Sequence, residues 1–135
     1  MVLKYTEYIN ESIISDKIER LKDLTKDLED NDFTVEFKNF ASCDFIINHE
    51  SGKTTNIHLR DILPYKKGDK YQGYISFIVY KIKNGGLSEF NEKEFNILDS
   101  FKKLLLSYKI NGPISNAEKY SVFYIKKEKL YKSII

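Results

Sequence analysis

The alternation of apolar and polar residues predicts a helix followed by a strand at the start of the chain. Between residues 11 and 30, apolar residues recur three or four positions apart with Lys, Asp and Glu between them. This spacing places one apolar stripe along an α-helix. Residues 33–38 then alternate apolar and polar side chains, which is typical of a half-buried strand. The helical stripe consists of Ile14, Ile18, Leu21, Leu24 and Leu28.

Two further alternating runs, on either side of a turn at Gly52, predict a β-hairpin. A three-residue loop with Gly52 in the left-handed conformation pairs Phe45 with Ile57 and gathers the apolar residues on one face. A two-residue turn instead sets Phe45 opposite His58 and scatters the apolar residues. We therefore prefer the three-residue loop, which places Asp44 opposite His58 on the polar face.

The second half of the chain predicts a strand, a helix and a last strand. Residues 71–83 carry apolar side chains on both faces, as expected of a central strand. Asn91 and Glu94 have the spacing of a capping box, which starts a helix that the Asn-Gly-Pro sequence at residues 111–113 ends. Residues 120–127 form the last predicted strand. The apolar stripe of the helix consists of Phe95, Leu98, Phe101, Leu105 and Tyr108.

The predicted order of elements is helix, four strands, helix, strand, which defines an α+β fold. Because the strands follow one another, we expect a mainly antiparallel sheet of about five strands with the two helices on one face. The 135 residues are enough for one hydrophobic core. Residues 12–135 are therefore predicted to form a single domain, and residues 1–11 are either a leader-like segment or the start of the first helix.

Charge is distributed unevenly along the chain, although the net charge is only +2. Residues 1–50 have twelve acidic and six basic side chains, whereas residues 51–135 have eight acidic and sixteen basic ones. Two interpretations follow: the halves compensate one another within one fold, or a basic face is left for an acidic partner.

One cysteine and two histidines offer little for catalysis or metal binding. Because Cys43 is the one cysteine of the chain, no internal disulfide can form. Its place in an alternating apolar run indicates a small buried core residue. His49 and His58 are expected on opposite faces, and neither has a second His or Cys at a usual ligand spacing. Asp44 beside His58 suits base catalysis, but an exposed cross-strand pair is the favoured interpretation. We predict no catalytic residue, metal or cofactor.

Lysine-rich segments of the second half suggest nucleic-acid binding as an alternative function. Lysines neutralise phosphates, and neighbouring tyrosines such as Tyr71 and Tyr131 offer stacking surfaces. The candidate polyanion-binding residues are Lys66, Lys67, Lys70, Lys126, Lys127 and Lys129.

The N-terminal segment Lys4-Tyr5-Thr6-Glu7-Tyr8-Ile9-Asn10-Glu11 combines charged and aromatic residues with an Ile-x-Glu ending. It resembles the capsid-targeting leader of internal head proteins in T-even-type tailed bacteriophages, in which such a pattern precedes cleavage by the prohead protease. In a helix, Tyr5, Tyr8 and Ile9 would form one apolar edge suited to docking. The resemblance implies cleavage after Glu11, which leaves Ser12 at the new N-terminus.

The resemblance also implies a head protein that is packaged with the genome, and some members of this family inhibit host defences by binding. Together with the lack of a catalytic set, it predicts a small non-enzymatic phage-encoded protein that binds a host or virion protein. The expected location is the virion interior or the host cytoplasm. The sequence contains neither a secretory signal nor an apolar run near 18 residues, so no membrane partner is expected.

Overall fold

The structure is a computed structural model that describes residues 2–59 and 73–135, with side chains from residue 13 onward. These ranges contain three helices and eight strands. In chain order they are α1 (Val2–Glu29), β1 (Thr34–Lys38), β2 (Asp44–Asn48), β3 (Thr54–His58), β4 (Tyr74–Tyr80), β5 (Ile82–Lys83), β6 (Gly86–Leu87), α2 (Glu92–Ser107), β7 (Ile114–Asn116), β8 (Tyr120–Lys126) and α3 (Lys127–Lys132).

Four strands form an antiparallel sheet in the order β1-β4-β8-β7. β4 pairs with β1 on one side and along its whole length with β8 on the other. Its residues alternate between two covered faces, since Phe77 and Val79 belong to one core and Ile78 and Tyr80 to another. The predicted central position of this strand is confirmed.

The helices cover one face of the sheet and form the first core with it. Leu21 of α1 and Phe101 of α2 are buried against the residues of β4 and β8 that point to this side. Phe77 and Phe123 stack across the two central strands with ring centroids 4.6 Å apart, and Phe101 meets both rings edge-on. Such aromatic pairs contribute about 0.5–1.5 kcal/mol each beyond the apolar area that they bury.

The start of α2 is confirmed as a capping box. The Glu94 N–H donates to the side chain of Asn91 at 2.9 Å, and the Asn91 N–H donates to the side chain of Glu94 at 2.9 Å. The end differs from the expectation, because α2 stops at Ser107 and the left-handed residue is Lys109, with φ of 61°. The helix therefore ends before the Asn-Gly-Pro sequence at residues 111–113.

The hairpin β2-β3 covers the opposite face of the sheet and forms the second core. Its predicted register is confirmed, with Phe45 opposite Ile57 and Gly52 in the left-handed region at φ of +85°. Phe45 and its apolar neighbours pack on Ile78 and Tyr124. The α+β class, the antiparallel sheet and the order of the main elements are thus confirmed. The sheet itself has four strands, and the hairpin is a separate two-stranded layer.

Three small features were not predicted: the pair β5-β6, the edge strand β7 and the helix α3, which packs against α1. α1 begins at Val2, so the leader-like segment lies within the backbone of this helix. Of the helices that the structure describes, none combines the length and the apolar character needed to cross a membrane.

Candidate functional site

The open end of the hairpin brings together the acidic and imidazole side chains that the sequence pairs. Asp44 begins β2 and His58 ends β3, and the register places them directly opposite one another. His58 Nδ1 lies 2.6 Å from Asp44 Oδ1. A carboxylate on Nδ1 orients the ring and selects its tautomer. The predicted cross-strand pair is therefore present, and both side chains remain accessible to water.

The thiol of Cys43 joins this pair, which the sequence did not predict. The Sγ atom lies 3.7 Å from Asp44 Oδ2 and donates to it. Cys43 is 1% exposed and packs in the second core, as expected. The Leu59 N–H donates to the Cys43 carbonyl oxygen at 2.8 Å, so the pairing of the hairpin arms continues to Cys43. One carboxylate thus contacts a thiol through one oxygen and an imidazole through the other.

A shallow groove of about 510 Å³ runs along the outer surface of the hairpin beside this cluster. Ile46, the middle residue of β2, lines this groove and is 62% exposed, although its outward neighbours in the strand are polar. An apolar side chain surrounded by hydrogen-bonding groups is the arrangement found at the centre of protein interfaces. The groove is lined by Asp44, Phe45, Ile46, Asn56, Ile57 and His58.

Lys38 of β1 is a positively charged residue that contacts Asp44. Its ammonium donates to the Asp44 carbonyl oxygen at 2.7 Å and lies 4.5 Å from the centroid of the Phe45 ring. The side chain therefore fixes the backbone where β2 begins and places one cation at this residue.

The leader residues Tyr5, Tyr8, Ile9, Glu11 and Ser12 lie in the α1 backbone, and their side chains are outside the described part. The bond between residues 11 and 12 is therefore inside a helix rather than in an extended linker.

The lysines proposed for polyanion binding fall into two groups. Lys66, Lys67 and Lys70 lie outside the described residues. Lys126 ends β8, and Lys127 and Lys129 lie in α3.

The residues around this second group mix both charges. Between Lys127 and Lys129, Glu128 makes an ion pair with Lys132 at 3.0 Å. The described members therefore adjoin an acidic residue and do not form a uniformly basic strip.

A buried ion pair on the helical side of the sheet was not predicted. Glu94 is 4% exposed and Lys81 is 9% exposed, and Lys81 Nζ lies 2.7 Å from Glu94 Oε2. Burial alone raises the pKa of Glu94, but hydrogen bonds from Lys81 and the Asn91 N–H, with the charges of Lys81 and Lys83, outweigh it. The pKa of Glu94 therefore lies below its usual value, and the carboxylate is ionised near neutral pH.

Tyr80 and Glu36 make a second partly buried polar contact, from β4 to β1. The Tyr80 hydroxyl donates to Glu36 Oε1 at 2.9 Å. Burial, together with this hydrogen bond and the charge of Glu36, raises the pKa of Tyr80. The phenol stays protonated and links the edge strand to the central strand.

Comparison of the chain with protein-family models, with curated proteins and with solved structures gives no match.

Proposed function

We propose that this chain is a small, non-enzymatic, phage-encoded protein that binds a protein of the host or of the virion. The exposed Ile46 in the lining of the hairpin groove is the observation that supports a protein contact. The pattern at residues 4–11 supports packaging into the head. By the same resemblance, we propose a component of host defence as the target.

The hairpin suits protein recognition because its inner surface packs on the sheet and its outer surface is exposed. Its inner residues, including Phe45 and Ile57, are buried in the second core and hold the hairpin on the sheet. Its outer surface presents Ile46 between the Asp44–His58 pair and the polar side chain of Asn48. A partner with an apolar anchor and hydrogen-bonding groups around it would complement this surface.

The Ile46→Glu variant is expected to weaken partner capture by about tenfold or more, since a charge in the centre of an interface must be desolvated. Tagged protein is incubated with host lysate, and captured proteins are quantified by mass spectrometry. Leu106→Glu is the matched control, because Leu106 of α2 is exposed to a similar extent, 59%, but lies away from the hairpin. If Ile46→Glu captured the partner as well as the unmodified protein does, the proposed contact through this surface would be wrong.

Co-expression with a prohead protease is expected to shorten the chain by eleven residues and to leave Ser12 at its N-terminus. The bond lies in the first half of α1, so the start of the helix must open before cleavage, as helix ends do most readily. The contacts of α1 with the first core from Ile18 to Leu28 follow the cut and remain available to the shortened protein. We expect the shortened protein to keep its fold, which circular dichroism checks.

The sequence Leu87-Ser88-Glu89 provides an internal control for this cleavage. It also ends in a glutamate, but it begins at the last residue of β6, and the Ser88 N–H donates to the Lys81 carbonyl oxygen at 2.9 Å. Intact-mass analysis should show no cut after Glu89. Full-length protein recovered from purified virions would refute packaging by this route.

A further inference from the structure

We propose that Cys43, Asp44 and His58 form a binding site for a zinc ion. Their potential ligand atoms (a thiol sulfur, a carboxylate oxygen and an imidazole nitrogen) all lie within 4.8 Å of one another. Asp44 and His58 are fourteen positions apart, and the hairpin register holds them together. This inference goes beyond the proposed protein contact and does not depend on it.

The distances suit a tetrahedral ion after a small adjustment. Zinc binds sulfur at about 2.3 Å and imidazole nitrogen at about 2.0–2.1 Å, so neighbouring ligand atoms stand about 3.3–3.7 Å apart. Cys43 Sγ and Asp44 Oδ2 are already 3.7 Å apart. The 2.6 Å between His58 Nδ1 and Asp44 Oδ1 must lengthen by somewhat less than 1 Å as the ion replaces the shared hydrogen. Both side chains are accessible and can rotate by this amount.

The charges of the three groups also favour zinc. A thiolate at the buried position of Cys43 would be costly without a counter-charge. One Zn²⁺ ion balances the charges of the Cys43 thiolate and the Asp44 carboxylate, and His58 binds as a neutral ligand. Thiolate and imidazole ligands select zinc over magnesium or calcium, which prefer oxygen.

Zinc binding removes the thiol proton and changes the tautomer of the imidazole. On binding, the thiol proton of Cys43 passes to solvent, and neutral His58 keeps its ring proton on Nε2 instead of Nδ1. Lys38, whose ammonium contacts the Asp44 carbonyl oxygen, is the nearby cation that opposes the ion.

Three protein ligands leave a fourth coordination position. Zinc sites of this kind hold water or a donor atom of a bound molecule there. The groove beside Ile46 and Asn56 adjoins the cluster and offers space on the outer side of the hairpin.

The test uses Co²⁺ as a spectroscopic substitute for Zn²⁺ in the full-length reduced protein. We expect one equivalent to give a thiolate-to-cobalt charge-transfer band and the intense visible bands of tetrahedral cobalt, both abolished by one equivalent of Zn²⁺. His58→Gln, Asp44→Asn and Cys43→Ser should each weaken binding by at least about tenfold.

His49→Gln is the matched control. His49 follows β2 at the turn of the hairpin, at the opposite end from Asp44 and His58, and its Nε2 contacts Thr55 Oγ1 at 2.6 Å. This variant should bind cobalt as the unmodified protein does. Asp44 and His58 are accessible, so their variants are expected to fold, which circular dichroism confirms independently. Absence of the charge-transfer band in excess Co²⁺, or its persistence in His58→Gln, would overturn the proposal. Either result would leave partner capture through Ile46 unaffected.

Discussion

Replacing Glu94 with alanine is expected to lower the free energy of unfolding by about 3 kcal/mol. The substitution leaves the ammonium of Lys81, 9% exposed and 4.7 Å from the centroid of the Phe33 ring, without its carboxylate. It also removes the acceptor for the Asn91 N–H and so breaks the capping box of α2. Urea denaturation followed by circular dichroism measures the loss.

Two further variants separate the causes. Glu94→Gln keeps a side chain that can complete the capping box but removes the negative charge, so it reports on the ion pair. Glu128→Ala breaks the pair with Lys132, whose N···O distance of 3.0 Å is similar but whose side chains are exposed. That variant should leave the denaturation midpoint nearly unchanged. If Glu94→Ala were as stable as Glu128→Ala, the buried pair of Lys81 and Glu94 would contribute no more to stability than the exposed pair of Glu128 and Lys132.

The ion pair should also contribute to acid sensitivity. Because the pKa of Glu94 is lower in the folded state than its ordinary 4.5, the unfolded state binds more protons as the pH falls. The contribution of the pair is thus complete above that ordinary value and is lost as the pH falls through the lowered pKa. The stability difference between the unmodified protein and Glu94→Gln should shrink below about pH 4.5.

The main elements of the fold, and the pairing of Asp44 with His58 in the candidate site, follow from local sequence patterns. Gly52 fixes the hairpin register, and the register places Asp44 beside His58 without any knowledge of the rest of the fold. The same alternation places Cys43 in the core, where the structure has it. Alternation also assigns Cys43 and Asp44 to opposite faces, so it gives no signal for the contact between Cys43 Sγ and Asp44 Oδ2, which depends on the rotamers of these two neighbouring side chains.

The buried stripe of α2 shows a different limit. Glu94, Leu98, Phe101 and Leu105 are all buried at spacings of four, three and four. Apolar character predicts Phe95 in this stripe, whereas the structure exposes Phe95 and buries Glu94. A charged residue can take the stripe position only because Lys81, thirteen residues earlier, supplies the counter-charge. Tertiary pairing of this kind leaves no periodic signal in the sequence.

Gly112 was predicted as part of a helix stop, but the structure gives it another role. The left-handed position after α2 is taken by Lys109, and Gly112 lies where the chain enters β7. A Cβ atom at Gly112 would overlap the carbonyl oxygen of Tyr124 and lie 3.0 Å from its carbonyl carbon. Glycine is therefore required by the close approach of two backbones and not by a positive φ.

Gly112→Ala is accordingly expected to cost about 3 kcal/mol, the upper part of the range for overpacked positions. The atoms that the methyl group meets belong to the backbone of β8, which is held between β4 and β7. Tyr124 is also fixed by its hydroxyl, which donates to the Ser42 carbonyl oxygen at 2.8 Å. Since β8 cannot move, residues 111–113 must shift, and the hydrogen bond from the Tyr124 N–H to the Pro113 carbonyl oxygen at 2.9 Å should break.

Thermal and urea denaturation of Gly112→Ala, with Gly86→Ala as the control, test this steric requirement. A Cβ atom at Gly86 meets no atom within 4 Å, and its φ is not in the positive region, so that variant should be as stable as the unmodified protein. Amide exchange adds a local measurement, because the Tyr124 N–H should lose protection in Gly112→Ala before the strand pairing of β4 with β8 is affected. Equal stability of the two alanine variants would mean that residues 111–113 can move away from β8 at little cost, and the close approach would then be incidental to the fold.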